Sequence, residues 1–314
     1  MLKKHAISQN KTRLFTLKKG STLGLILALL ILTAGALLSA CSALAPTDVA
    51  NPTEDSAEAR IPKVRPTATP VSAYSEPDVM PWAGANVDFD YYVLALSWQP
   101  AFCETQPGKE ECETQTANRF DAANFALHGL WPTVTGDDDN TFSYCDVTQG
   151  VIRQDRAGDW CEMPELTLSD TVWQDLTLSM PGTASCLHHH EWYKHGVCTG
   201  MSPDAYYALT NALVERFAAT DFNRYVAARV GEEVSRRDLL NQFDVEFGED
   251  ASDYLSLRCS KLDGVSLLSE IQIVLRPDIA ALDDFAALFP DERIPPEGNC
   301  PQTFKVDRVG LRNY

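Results

Sequence analysis

The stretch CLHHHEWYKHGVC, residues Cys186 to Cys198, decides how the middle of this chain folds, because it has the pattern of a short two-faced helix. At about 100° per residue, one arc of about 140° holds two imidazoles, a carboxylate and an ammonium. These groups belong to His190, Glu191, Lys194 and His195. Trp192 and Tyr193 point to the opposite side, where they can pack in a core. The charged face can move protons around a negatively charged group.

A second segment, NFALHGLWP at Asn124 to Pro132, carries His128 from an apolar run into a Gly-Leu-Trp-Pro turn. A histidine that ends a strand can face a histidine on a helix. Two imidazoles on separate elements suit in-line displacement at phosphorus, because one deprotonates the attacking hydroxyl while the other protonates the leaving oxygen. Lys194 can neutralise the phosphoryl oxygens in the transition state.

These two segments together resemble the active-site segments of the ribonuclease T(2) family. The resemblance runs from about Val87 to the end of the chain and is strongest to the bacterial periplasmic ribonuclease I branch. It includes DFDYYVLALSWQPAFC, SRRDLLNQFDVEFG, LLSEIQIVLRPDI and GNCPQTFKVD. The family's fold, a mainly antiparallel β-sheet flanked by helices and held by disulfides, is the fold that the resemblance implies.

The resemblance also implies a role for each residue of the two motifs. His195 would be the general base on the ribose 2′-hydroxyl, and His128 the general acid on the departing 5′-oxygen. His190 would bind phosphate, while Glu191 and Lys194 would stabilise the pentacoordinate transition state. The implied enzyme is a metal-independent endoribonuclease without a cofactor. It would convert single-stranded RNA into 2′,3′-cyclic phosphate and then 3′-phosphate ends, and it would leave DNA intact.

Trp131 is the expected contact to a base, because aromatic side chains stack on unpaired bases. Several members of the family follow the Trp-Pro pair with an acidic residue that recognises adenine. This chain has Thr133 at that place. The base preference therefore stays open.

Some of these residues have simpler interpretations. A lone histidine after an apolar run, such as His128, is more often a core residue, and Trp131 and Trp192 are core aromatics by default. A catalytically silent surface lipoprotein with this fold is therefore one alternative. The filled catalytic positions argue against it.

The other alternative is a metal-dependent hydrolase. His188 and His189 extend the histidine cluster, and His188, His190 and Glu191 could hold a metal. Zinc proteases, however, space two histidines four residues apart around a glutamate. His190 and His195 are five apart and do not form a close chelating pair on a helix.

The first 86 residues are not expected to fold as a domain. Residues 1–20 are basic without an acid and residues 21–40 are almost wholly apolar, which is the order of an export signal. Leu38-Ser39-Ala40-Cys41 has the form of a lipoprotein processing box, so we expect lipidation of Cys41. An uncleaved anchor is the alternative, because roughly 19 apolar residues approach the ~20 needed to span a bilayer.

We therefore predict a lipoprotein-type signal peptide at residues 1–40 and a disordered tether rich in Pro, Thr, Ser and Ala at residues 41–86. The catalytic domain spans residues 87–314. The predicted location is extracytoplasmic, tethered to a membrane at the cell surface or in the periplasm. Single-stranded RNA and the membrane are the expected partners. No protein partner is implied, and we expect a monomer.

Eight of the nine cysteines lie in the predicted domain, and an even number in an exported domain suggests four disulfides. Eight cysteines allow many pairings, so their positions alone do not choose among them. The family resemblance implies Cys145–Cys198 and Cys259–Cys300. Cys103–Cys112 would close a short local loop, which leaves Cys161–Cys186 by elimination.

Aromatic and branched residues predict strands, and apolar spacing predicts helices. The predicted strands are 88–98, 124–130, 254–259, 267–275 and 303–306, and the predicted helices are 170–179, 187–195, 203–219 and 235–247. Ser202 is expected to cap the third helix ahead of Pro203. Strands at both ends with helices grouped between them favour an α+β fold.

The charge balance argues against RNA binding through a broad basic surface. Without the six basic residues before Cys41, 20 basic residues of the 26 face 44 acidic ones, a net charge of −24. Proteins that bind RNA through many phosphates are normally basic. We therefore expect modest, salt-sensitive affinity from a few local groups such as Lys194. We also expect an acidic pH optimum, because acid relieves the repulsion.

Overall fold

The computed structural model describes residues 89–136, 142–279, 284–294 and 298–312. The chain divides into Met1–Ala68 and Thr69–Tyr314, and every described residue belongs to the second unit. The predicted signal peptide, the Cys41 lipidation site and the tether lie outside the described residues and stay predictions. Within the described ranges, no helix is both long enough and apolar enough to cross a membrane.

One sheet of six strands organises the described part of the chain. The strands are β1 Tyr91–Ser97, β2 Ala126–Thr133, β3 Glu233–Ser235, β4 Leu255–Leu262, β5 Val265–Leu275 and β6 Thr303–Lys305. They follow the order β2-β1-β5-β6-β3, and β4 pairs with β5. Every strand pair is antiparallel except the short parallel contact of β5 with β6. With its helices this is the predicted α+β fold.

Eight α-helices accompany the sheet in the described ranges. They are α1 Gln99–Thr105, α2 Glu110–Glu113, α3 Gln149–Ala157, α4 Asp170–Ser179, α5 Leu187–Lys194, α6 Pro203–Ala218, α7 Asp221–Ala227 and α8 Arg236–Phe247. The four predicted helices are α4, α5, α6 and α8, with ends that differ by at most one residue. The predicted cap is also present, since Ser202 Oγ accepts a hydrogen bond from Ala205 N at 3.2 Å.

The sequence did not predict β3, α1, α2, α3 and α7. These elements are three to nine residues long, which is too short for a clear apolar period. A disulfide joins α1 and α2 through Cys103 and Cys112. Tertiary contacts rather than local propensity therefore fix these short helices.

The core connects the sheet to α6, which packs on β2 and on α4. Tyr206 and Tyr207 of α6 are fully buried. The Tyr206 hydroxyl donates to Leu130 O at 2.9 Å and accepts from Leu130 N at 3.2 Å. This pair of hydrogen bonds ties α6 to the strand that carries His128.

Four disulfides close the described part of the chain. They are Cys103–Cys112, Cys145–Cys198, Cys161–Cys186 and Cys259–Cys300. The pairs are the same four that the family resemblance, the local loop and elimination predicted.

Candidate active site

A β-bulge presents His128 to the site. Ala95 of β1 pairs with Gly129 of β2, whereas the next residue, Leu96, pairs with Leu127, so that His128 is the extra residue. A bulge bends a strand and redirects one side chain, and bulges are frequent beside active sites. The imidazole of His128 is 33% exposed although both of its chain neighbours are buried.

A second bulge brings Glu270 of β5 to the same place. Arg258 of β4 pairs with Glu270 and Cys259 with Leu268, which leaves Ser269 as the extra residue. Glu270 Oε2 lies 2.6 Å from His128 Nδ1. An ionised carboxylate can only accept, so Nδ1 carries the proton and donates it to Glu270.

Helix α5 carries the other catalytic candidates and is fixed at both ends. Cys186 precedes it in the left-handed region, with φ 61°, and is bonded to Cys161. Cys198 lies in the 3₁₀ turn that follows and is bonded to Cys145. The predicted helix 187–195 is one residue too long, because α5 ends at Lys194 and His195 forms its C-cap. The backbone N–H of His195 still donates to Glu191 O, at 3.1 Å.

The carboxylate of Glu191 is the centre of the cluster and is 0% exposed. Its Oε2 accepts a hydrogen bond from Trp131 Nε1 at 2.7 Å. Its Oε1 faces two imidazoles, at 3.5 Å from His128 Nε2 and 3.8 Å from His190 Nε2. Glu191 therefore joins both motifs into a single site.

Gly129 makes room for this carboxylate. A Cβ atom at residue 129 would overlap Glu191 Oε2 and lie 2.5 Å from Trp131 Nε1. The glycine next to His128 is therefore needed for the close approach of α5 to β2.

Asp155 of α3 orients His190. Asp155 Oδ1 lies 2.6 Å from His190 Nδ1, and Oδ2 accepts from the Tyr144 hydroxyl at 2.5 Å. Burial raises the pKa of Asp155, but the hydrogen bonds from His190 and Tyr144 outweigh it and lower that pKa. Because His190 donates from Nδ1 to Asp155, its Nε2 faces Glu191.

His195 and His128 are shifted in opposite directions. His195 is 2% exposed, and burial holds its pKa well below the usual range, with the positive charges of Lys194, His190 and His128 adding to the effect. Burial also lowers the pKa of His128, but the hydrogen bond to Glu270 and the charges of Glu191 and Glu270 raise it overall to about 9. At neutral pH, one imidazole is therefore neutral and the other protonated.

Trp131 lies between these two histidines. Its ring centroid is 5.2 Å from that of His128 and 5.3 Å from that of His195. The hydrogen bond from Nε1 to Glu191 fixes the indole within this cluster. Its predicted contact with a base stays a prediction.

Lys194 occupies the last turn of α5 and is half-buried. Its charge lowers the pKa of both His128 and His195, so the ammonium lies close to the cluster. Within the described ranges, no carboxylate oxygen lies within 4 Å of its Nζ. The ammonium can therefore approach an anionic substrate.

His188 and His189 do not join the site. The His188 ring packs on Trp173 at 5.1 Å, and burial, with the neighbouring His189, lowers its pKa to about 4. His189 Nδ1 donates to Trp160 O at 2.8 Å. Across the described residues, no three His, Cys, Asp or Glu side chains are arranged to hold a metal ion. The structure therefore does not assemble the alternative site of His188, His190 and Glu191.

A cleft of about 560 Å³ opens beside this cluster. Its walls include His128, Glu270, Arg258, Lys109 and Trp160, but not His195. The cleft therefore adjoins the cluster at His128 and not at His195.

Sequence reasoning missed Glu270 and Asp155. Glu270 is the one acidic residue in the otherwise largely apolar run LLSEIQIVL. An acidic residue within an apolar strand is a sequence signal for a functional side chain. Asp155 lies in the polar helix QGVIRQDRA, where nothing distinguishes it from other surface acids. Only the tertiary structure brings it to His190.

The chain is similar in sequence to known ribonucleases. The model of the Ribonuclease T2 family matches residues 89–285. Ribonuclease I of Escherichia coli K12 is 32% identical over 257 residues, which cover 74% of this chain and 94% of that protein. A ribonuclease of Aeromonas hydrophila is 28% identical over 144 residues, covering 43% of this chain and 53% of that protein. The crystal structure of a self-incompatibility-associated ribonuclease of Nicotiana alata has a TM-score of 0.47 and 19% identity. It covers 71% of this chain and 100% of that one.

Proposed function

The chain belongs to the ribonuclease T2 family, and from this premise we propose that it is an exported, metal-independent endoribonuclease acting on single-stranded RNA. The ribose 2′-hydroxyl attacks the adjacent phosphorus, and the bond to the 5′-oxygen of the next nucleotide breaks. The products are a 2′,3′-cyclic phosphate, which water opens to a 3′-phosphate, and a 5′-hydroxyl end. DNA lacks the nucleophile and is not cleaved.

The observation that carries this proposal is that two imidazoles on either side of Trp131 have opposite surroundings. His128 lies beside the carboxylates of Glu191 and Glu270, whereas His195 is buried among positively charged groups. His195, with its lowered pKa, accepts the 2′-hydroxyl proton. His128, with a pKa of about 9, donates a proton to the leaving 5′-oxygen. Environments that push two pKa values apart are how a site holds an acid and a base at one pH. His195 is 2% exposed, so RNA binding must open its ring edge to the hydroxyl.

The remaining groups stabilise charge on the phosphoryl oxygens. His190, oriented by Asp155, binds the phosphate through Nε2, and Lys194 neutralises the charge that develops in the transition state. Glu191 holds His128, His190 and Trp131 in one arrangement. Trp131 contacts the base of the nucleotide that is attacked.

The cleft takes the leaving nucleoside. His128 lines the cleft and His195 does not, and His128 is the proton donor to the leaving oxygen. The nucleotide on the 3′ side of the scissile phosphate therefore enters this cleft.

We also propose that the chain is exported and tethered outside the cytoplasm as a lipidated monomer. The support is the charged-then-apolar order of residues 1–40 and the box that ends at Cys41. Replacing Cys41 by Ser should release the enzyme from membranes in cell fractionation. A variant that stays fully membrane-bound would favour an uncleaved anchor.

The deciding experiment is digestion of single-stranded RNA and of DNA of the same sequence by the oxidised protein, with and without EDTA. Mass spectrometry identifies the ends. We expect cleavage of RNA alone, unaffected by EDTA, with 2′,3′-cyclic phosphate ends. Cleavage abolished by EDTA, or cleavage of DNA, would contradict the proposal.

Single variants separate the roles. His128→Ala and His195→Ala should each lose roughly 10²–10⁴ in rate while their circular dichroism spectra stay unchanged. His188→Gln is the matched control, because this histidine lies outside the cluster and should keep its activity. Wild-type turnover by either of the first two variants would remove that histidine from the mechanism.

A further inference from the structure

The cleft beside His128 also includes residues outside the catalytic cluster. Its volume of about 560 Å³ lies in the range of ligand sites, ~300–1,000 Å³. Lys109 and Trp160 line this cleft together with His128 and Glu270. Neither residue belongs to the two motifs, and the mechanism uses neither of them.

Two disulfide-closed segments bring Lys109 and Trp160 together. Lys109 lies in the loop between Cys103 and Cys112, and Trp160 directly precedes Cys161, which is bonded to Cys186. Lys109 Nζ lies 4.6 Å from the centroid of the Trp160 ring. An ammonium over an indole is attracted to the ring, and the contact limits the conformations of the lysine side chain.

Trp160 links this lysine to the catalytic cluster. Its ring centroid is 4.8 Å from that of His190, and its Nε1 donates to Asp155 O at 3.2 Å. The Asp155 carboxylate in turn holds His190. Lys109 is therefore positioned relative to the phosphate-binding histidine before any substrate arrives.

Lys109 forms no ion pair with an acidic side chain of the described residues, although Glu111 and Glu270 also line the cleft. No ion pair within 4 Å involves its Nζ. By contrast, Arg224, Arg276 and Arg293 are each paired with an aspartate. In a chain with a net charge of −18, a lysine that faces a cleft without a carboxylate partner is suited to an anionic ligand.

We infer that Lys109, held over Trp160, binds the second phosphate of the RNA substrate, one nucleotide to the 3′ side of the scissile phosphate. The inference rests on the proposed function, because His128 as the general acid sets the direction of the chain in the cleft. The ammonium binds this phosphate as a point charge with three donors. The enzyme thereby favours oligonucleotides over dinucleoside monophosphates.

The test compares a dinucleoside monophosphate with the same compound carrying a 3′-terminal phosphate. For the wild-type enzyme, we expect kcat/KM to be about tenfold higher with the extra phosphate, which corresponds to one charge-assisted contact. Lys109→Gln should reduce this ratio to within about twofold of unity, and Lys109→Arg should retain most of it. Lys261→Gln, an exposed lysine at the end of β4, is the matched control and should keep the full ratio.

Three outcomes would overturn the inference. They are a wild-type ratio near one, an equal loss by Lys109→Gln on both substrates, and a gain from a phosphate at the 5′ end instead of the 3′ end. Equal loss on both substrates would assign Lys109 to the scissile phosphate. Absence of cleavage of either compound by the wild-type enzyme would instead refute the proposed function. Titration with the non-cleavable 2′-deoxy analogues then tests Lys109 by binding alone, where equal affinity with and without the 3′-phosphate refutes the inference.

Discussion

At the scale of single residues, one buried carboxylate lies beside His128 and His190, and a third histidine, His195, has electrostatic surroundings opposite to those of His128. Glu191 faces Nε2 of both His128 and His190, while Glu270 adds a second negative charge beside His128 alone. His195 is buried from solvent and lies near positively charged groups. The proposed assignment of acid and base rests on these surroundings, since the three side chains are chemically identical.

Glu270 should therefore set the alkaline limit of activity. In the proposed mechanism His128 acts in its protonated form, so kcat/KM should fall as the pH rises through its pKa of about 9. Glu270→Gln removes a carboxylate that raises this pKa, and the descending limb of the pH profile should move to lower pH. The exposed Glu249→Gln is a control for the loss of one charge. A descending limb that stays in place would show that Glu270 does not control His128.

The same pair affects stability. The folded-state pKa of His128 is raised from 6.5 to about 9. Protonation of His128 therefore contributes stability that is fully present below about pH 6.5 and is lost as the pH rises through about 9. Glu270, whose pKa is lowered, loses its share only as the pH falls through its own folded-state pKa. His195 becomes competent as the pH rises through its own lowered pKa. The net charge predicts that activity peaks at acidic pH, whereas the two histidine pKa values predict activity that extends to alkaline pH. A pH profile of activity on the alkaline side distinguishes the two expectations.

Gly129 gives the second prediction at this scale. Gly129→Ala puts a methyl group in the space of Glu191 Oε2, so the carboxylate must move away from His128 and Trp131. A displacement of about 1 Å at a reacting centre can cost about 10² in rate, and we expect at least this loss in kcat. Gly150→Ala in α3, where the nearest atom to a new Cβ is 3.9 Å away, is the control and should change stability by no more than about 1 kcal/mol. Full activity of Gly129→Ala would mean that the close approach of Glu191 is dispensable.

At the scale of elements, two disulfides fix the position of α5, whose own sequence is too short to form a stable helix. Eight residues are too few for an isolated helix to be stable, and three of the eight, His190, Glu191 and Lys194, belong to the site. Cys161–Cys186 fixes its start and Cys145–Cys198 fixes the turn after it. The first of these bridges also holds Trp160 beside His190.

Loss of the Cys161–Cys186 bridge should therefore reduce activity as well as stability. The double variant Cys161→Ser, Cys186→Ser opens a loop with a sequence separation of 25, worth about 3.5 kcal/mol in the chain-entropy model. The variant Cys259→Ser, Cys300→Ser opens a separation of 41 and should cost about 4 kcal/mol without loosening α5. Measured on the folded fraction, we expect only the first variant to lose about tenfold or more in kcat. Equal activity losses in both would indicate a general loosening of the domain.

The long elements could be predicted from sequence, and the details that shape the site could not. The apolar spacing of α6 and α8 and the branched residues of β5 are local signals, and the structure contains these elements. The bulges at His128 and Ser269 depend on the register between strands, which no single strand encodes. Asp155 reaches His190 across 35 residues, so its part in the site also required the tertiary structure.

At the scale of the whole molecule, a few cationic groups meet at one site of an acidic protein. The chain as a whole has a net charge of −18, yet Lys109, Lys194 and the His128 imidazolium converge on one cluster and its cleft. Repulsion from the rest of the surface opposes long stretches of RNA. A few contacts at the centre must therefore provide the affinity.

This arrangement predicts a shallow dependence of RNA binding on salt. Each phosphate contact with a single strand contributes about −0.7 to the slope of log affinity against log salt concentration. Contacts from His190, Lys194 and Lys109 should together give a slope of about −2 for an oligonucleotide with 2′-deoxy residues at the scissile position. Titration of this oligonucleotide at several salt concentrations measures the slope, and Lys109→Gln should make it shallower by about 0.7 while Lys261→Gln leaves it unchanged. A slope of about −5 or steeper would instead require an extended basic surface, which the charge of this chain does not provide.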